Sequence, residues 1–191
     1  MTKLFKPDQR VPVGRVEYLR VTPLSFAEFC AAAGNTDLYQ TAESHGWRVP
    51  EPVHSNLLTL FDNYLSVGGL PRVVVAHTQG ATPQELTQLR SEIYIAQKDD
   101  FQRKEPSLKP TLFVQGTKAI ADLLGFPFSL TRISNNHRDA RATLDLLSDW
   151  LIAHPCPQRS LSPTSAPHPK VYLYDIGLAR QLRETTLPTL S

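Results

Sequence analysis

Proline placement constrains this chain more than any other feature. Sixteen prolines stand among 191 residues. A proline has a fixed φ and no N–H, so it fits the first turn of a helix or a turn and is excluded from a helix interior. Pro71, Pro83 and Pro110 each stand where an apolar pattern of three- and four-residue steps begins, and five more crowd into residues 155–169. The first group predicts helices; the second predicts a loop.

Capping signals sharpen the helices. Ser25 with Glu28 forms a capping box, flanked by Leu24 and Phe29 at the positions of a hydrophobic staple, and Gly34 supplies the stop. A second helix follows Pro52, with Leu57, Leu58, Phe61, Tyr64 and Leu65 on one face, and ends at Gly68-Gly69. Thr82 and Glu85 make another capping box, opening a long helix through Leu86, Leu89, Ile93, Ala96 and Phe101. A further helix runs from Pro110 to Leu124 despite Gly116. The next is capped by Ser134 or Asn135 and turns Ala140, Leu144, Leu147 and Leu151 inward.

Strands are few. Val16 to Val21 reads as a short strand closed by Pro23, and Val171 to Tyr174 as another, after which Asp175 caps a short final helix. Helix, helix, strand, loop, strand over residues 110–174 is the layout of a winged helix, with Ile152 to His154 and Val171 to Tyr174 paired as the wing and residues 155–169 as its loop. The fold class expected is therefore mainly α.

Composition narrows the function. Cys30 and Cys156 have no partner at ligand spacing, so neither a disulfide framework nor a zinc site is supported. No apolar run has the length of a signal peptide or a membrane span, which predicts a soluble, cytoplasmic protein without a membrane partner. Residues 1–100 carry 9 Lys and Arg against 11 Asp and Glu, whereas residues 101–191 carry 11 against 7. A polyanion would meet the second half.

Three stretches carry a resemblance. Val11 to Phe29 (VPVGRVEYLRVTPLSFAEF), Phe61 to Val74 (FDNYLSVGGLPRVV) and Lys170 to Leu178 (KVYLYDIGL) resemble, in order and spacing, the later part of the archaeal-type ATPases of the AAA superfamily. Those proteins lead from an ATPase core into a C-terminal domain of unknown function. The resemblance implies a remnant of the ATPase core over residues 1–24, a helical lid-like region over 25–106, a winged-helix-like domain over 107–183 and a tail over 184–191. It also implies a helix at Val73-Val74-Val75, where propensity alone favours a strand.

The nucleotide-binding front of that family has no counterpart here. A phosphate loop needs G-x-x-x-x-G-K-[ST], and Gly116-Thr117-Lys118-Ala119 is the nearest fragment. No cofactor, metal or catalytic residue is therefore expected, and the chain is not expected to be an enzyme. Arg15, after Gly14, matches a family arginine that would face a nucleotide's outer phosphate in a full-length setting; the plainer reading is a surface arginine beside a strand.

The candidate contact set is Asn135, Asn136, His137, Arg138 and Arg141, at the start of the proposed recognition helix, with Lys170 before the second wing strand. Arginine and asparagine at the N-terminal end of such a helix suit guanine and adenine edges. Asp139, Asp145 and Asp149 on the same helix oppose phosphate, which makes a solvated helix face the alternative. Two functions are expected from this: a non-catalytic C-terminal portion of such an ATPase, retaining a winged helix for DNA or partner binding, or an autonomous winged-helix transcriptional regulator. The partners expected are DNA, a second copy joined through the Val16 to Val21 edge, or a separate ATPase chain.

Overall fold

Local chemistry sets the helix starts. The computed structural model describes residues 19–157 and 168–184. In α1 (Phe26–Ala32) the Ser25 hydroxyl accepts from the Glu28 amide, and the Glu28 carboxylate accepts from the Ser25 amide at 2.7 Å. Thr82 and Glu85 repeat this reciprocal pair at the start of α5 (Pro83–Lys104). Proline stands within the first turn of α3 (Glu51–Val67), α4 (Pro71–Thr78), α5 and α6 (Pro110–Asp122). There its missing N–H is one the helix would leave unpaired in any case.

Eight α-helices and one two-stranded sheet appear among the described residues. The remaining helices are α2 (Thr36–Ser44), α7 (His137–Asp149) and α8 (Ile176–Glu184). None is long and apolar enough to cross a membrane. Helix α2 has no counterpart among the expected helices because Ala42 is its one buried residue, too thin a stripe to show as a period. Its end is nonetheless well marked: the Trp47 amide donates to Ala42 O and the Gly46 amide to Glu43 O, a Schellman motif with Gly46 at φ 60°.

Val73 and Val74 are helical, and tertiary packing explains why. Both are buried against Phe29, Val67 and Leu86, the first of two apolar cores, and Pro71 presets the helical φ two residues earlier. The second core gathers Phe101, Phe113, Ile120, Leu147, Val171 and Leu178, among others. Burying each of these side chains is worth about 1.5–3 kcal/mol. Helix α5 runs through both cores, placing Leu86 in the first and Phe101 in the second. Helices α6 and α7 meet closely at Gly116, where an added Cβ would lie 3.2 Å from Leu147 Cδ1 and 3.4 Å from Thr143 Cγ2.

The sheet is a hairpin, β1 (Ala153–Cys156) antiparallel to β2 (Lys170–Leu173), with Ala153 opposite Leu173 and Cys156 opposite Lys170. The Tyr174 amide extends the ladder by donating to Ile152 O at 3.0 Å. Pro155 and Cys156, expected in the loop, belong to the strand; residues 158–167 of that loop lie outside the described residues.

Several expectations need correction. Leu19 to Val21 form no strand: no strand among the described residues pairs with them, and a strand is defined by its neighbour's hydrogen bonds. Arg15 and Val16 to Tyr18 lie outside the described residues. Helix α7 is capped by Asn136, one or two residues later than expected, because its side chain reaches the Arg138 and Asp139 amides at 3.1 and 3.4 Å. Leu151 lies beyond the helix at φ 56°, in the turn that reverses the chain into β1. Leu58 and Phe61, expected inward, are 51% and 40% exposed, since the apolar stripe of α3 is wider than the neighbours that cover it. Ala96 is also exposed.

Candidate functional site

Five of the six predicted contact residues fall together, at the entry to α7. Asn135, Asn136, His137, Arg138 and Arg141 are all exposed. Their side chains are not equally free. Asn136 uses its carbonyl oxygen to cap the helix and its amide nitrogen to donate to Asp139 Oδ2 at 3.0 Å. Arg141 Nε donates to Asp145 Oδ2 at 3.1 Å. The buried side of α7 is Ala140, Thr143, Leu144 and Leu147, so helical geometry puts Arg138, Arg141, Asp145 and Asp149 on the solvent side. That side is basic at its first turns and acidic at its last. Lys170 is apart from them, half-buried on β2 opposite Cys156 and bridged to Pro127.

The most elaborate polar site lies elsewhere, where α3 ends and α8 begins. Asp175, 4% exposed, accepts from the Gly69 amide through Oδ2 at 2.6 Å and from the Leu178 amide through Oδ1 at 2.6 Å. It thus caps α8 and grips the α3–α4 turn at once. Backbones touch at this point. A Cβ on Gly69 would lie 2.3 Å from Leu24 O, and one on Gly177 would lie 2.6 Å from Val67 O. The Leu24 amide donates to Gly69 O at 2.7 Å, and the Tyr64 hydroxyl donates to Leu24 O at 2.9 Å.

Arg90, buried on α5, completes the joint from the other side. Its Nη1 donates to Val67 O at 3.1 Å and Ser66 O at 3.3 Å, carbonyls that the end of α3 leaves without helical partners. Its Nε donates to Gln181 Oε1 at 2.8 Å on α8, and Nη2 to Thr87 Oγ1 at 3.2 Å. In sequence Asp175 reads only as a helix cap, and Arg90 is not among the expected site residues. The signal for Arg90 was its place on the inward stripe, four residues after Leu86 and three before Ile93.

Residues 58–189 match the family model of a domain of unknown function, DUF8612. The chain belongs to the DUF8612 family. No curated protein and no solved structure matches it. The DUF8612 span contains Gly68, Gly69, Arg90, α7, Asp175 and Gly177, and it begins after α1 and α2.

Electrostatics within the DUF8612 span follow from burial. Loss of water raises the Asp175 carboxyl above its ordinary value, against the pull of the Leu178 and Gly69 amides and the Arg90 charge. Burial likewise lowers Arg90, against the Asp175 charge. Each charge therefore depends on the other and on backbone dipoles for its place. Among the described residues no three His, Cys, Asp or Glu side chains gather to hold a metal. A groove of about 910 Å³ beside the hairpin, lined by Gln97, Asp100, Lys104, Trp150, His154 and Tyr174, mixes both signs of charge.

Proposed function

We propose that this chain is a non-catalytic binding module, built like the part of the archaeal-type AAA ATPases that follows their ATPase core. In this reading α1 to α5 form the lid-like region, and α6, α7 and the β1–β2 hairpin form a winged-helix-like lobe. The supporting observation is the joint. Leu24, Gly68-Gly69 and Asp175 to Gly177, drawn from the three stretches that carry the resemblance, meet at one place. A buried, perturbed carboxylate near an arginine is ordinarily a candidate catalytic pair. Here both oxygens of Asp175 accept from backbone amides, and Arg90 donates to backbone carbonyls, which favours a fastening role over chemistry.

The partner favoured is a protein. Arg141 is paired with Asp145 and Asn136 is engaged as a cap, so the α7 face offers phosphate little unpaired positive charge. The DNA-binding regulator is kept as a second reading because His137 and Arg138 are exposed in the first turn of α7.

Two titrations test this. Calorimetry with Mg-ATP should give no binding; a micromolar dissociation constant would overturn the non-catalytic reading. Anisotropy with duplex DNA should give only weak binding, about 10⁻⁴ to 10⁻⁶ M, with little sequence preference. Sub-micromolar, sequence-selective binding would favour the regulator instead, provided that Arg138→Ala with Arg141→Ala lowers the log-log salt slope by about one per lost phosphate contact.

A further inference from the structure

The outer face of α1, α2 and α3 belongs neither to the joint nor to α7. Aromatic rings run across it in contact: Tyr39 stands edge-on to Trp47 at 5.4 Å and to Phe26 at 5.9 Å, and Phe26 stands edge-on to Phe61 at 5.2 Å. Trp47 is 52% exposed, Phe61 40% and the neighbouring Leu58 51%. Exposed aromatics joined through half-buried ones have the composition of protein interface cores. Trp47 is also held at φ 65°, a left-handed conformation that is costly for a bulky side chain. The turn after α2 therefore presents this ring at a conformational cost.

Charge identifies the occupant. Residues 25–65 contain five acidic side chains, Glu28, Asp37, Glu43, Glu51 and Asp62, against one basic side chain, Arg48. All five are exposed, while the rest of the chain is net positive. A nucleic acid or an anionic bilayer would be repelled here, although stacking rings alone would suit a base. A cationic segment is attracted by the exposed carboxylates, and its apolar side chains by the exposed aromatic rings.

We propose that this face docks a Lys- or Arg-rich amphipathic helix of a partner protein, whose apolar side chains cover Phe61, Leu58 and Trp47. The surface lies on different helices from α7, so it stands or falls independently of how α7 is read.

The test uses the full chain with two labelled peptides of about 18 residues, long enough to form an amphipathic helix. One alternates leucine with lysine at helical spacing, and the other replaces lysine with glutamate. The leucine–lysine peptide should bind in the micromolar range, weaken with added salt, and bind roughly tenfold less well to Trp47→Ala with Phe61→Ala. Because truncating Phe61 could loosen α3, Asp37→Lys with Asp62→Lys serves as a second variant. Both of its sites are exposed, and circular dichroism checks that the fold is kept; it should weaken binding by a similar factor. Equal affinity for the two peptides would overturn the proposal. So would absence of binding at high micromolar peptide, unchanged affinity in both variants, or preferential binding of phosphatidylcholine vesicles carrying phosphatidylserine.

Discussion

Gly177→Ala tests the joint directly, because a methyl group there has no room. Gly177 stands in the first turn of α8, and the added carbon would lie 2.6 Å from Val67 O and 2.8 Å from the Gly68 nitrogen. Both atoms are backbone, so neither can swing aside; α8 must move away from α3. Overpacking of this kind costs about 1–3 kcal/mol. The movement carries Asp175, two residues earlier, off the Gly69 amide, and a buried donor left unpaired costs about 1–3 kcal/mol more. Alanine returns up to about 1 kcal/mol through helix propensity. The net expectation is a loss of about 3 kcal/mol, read as a lower urea midpoint at unchanged slope by far-ultraviolet circular dichroism. Gly116→Ala is the matched control. Its methyl would meet only the ends of the Leu147 and Thr143 side chains, at 3.2 and 3.4 Å. Leu147 Cδ1 need give only a few tenths of an ångström and the Thr143 methyl is already at van der Waals distance, so stability should stay within about 1 kcal/mol of wild type. A Gly177→Ala protein as stable as wild type, or a Gly116→Ala protein that suffers more, would refute the argument from backbone contact.

Asp175→Asn turns an NH2 group toward one of two backbone donors, and should cost about 1–3 kcal/mol in chemical denaturation. Burial raises the folded Asp175 pKa, so its stabilising share is complete below the unfolded pKa and is lost as pH rises through the folded one. The stability gap between wild type and Asp175→Asn should therefore widen as pH falls from neutral into the mildly acid range, and denaturation curves across that range would show it. Asn136→Ala should cost about 1 kcal/mol through the lost cap, and Asn135→Ala much less; equal effects in thermal melts would reject the cap assignment. Arg141→Ala should leave stability within about 0.5 kcal/mol, since its pair with Asp145 is exposed at both ends.

What was legible in the sequence was local. Ser25 with Glu28 and Thr82 with Glu85 gave their helix starts because a capping box is complete within four residues, and Pro71, Pro83 and Pro110 did so because proline's restriction is its own. Ser134, Asn135 and Asn136 are all competent caps, and only the packed position of α7 selects the third. The stripe on α3 told which residues share a face. It did not tell which would find a neighbour, so Leu57 is buried while Leu58 and Phe61 reach solvent. The joint was out of reach for the same reason. Gly68-Gly69 has the pattern of a helix stop, and Asp175 that of a helix cap. That the two meet is a fact about partners far apart in the chain.

Asp175 and Gly69 are separated by 106 positions, and that distance sets an order of events. On a chain made from its N-terminus, α1 to α5 are complete before Asp175 exists, and α3 waits with the Gly69 amide unclaimed. Closing so long a loop is slow, because its entropy is lost before the contact rewards it. Helix α8, the last among the described residues, thus closes the α3–α4 turn beside the first core. A nascent chain halted before Asp175 would leave the α3–α4 turn open, a vulnerability that pulse proteolysis at that turn would register far from the point of arrest.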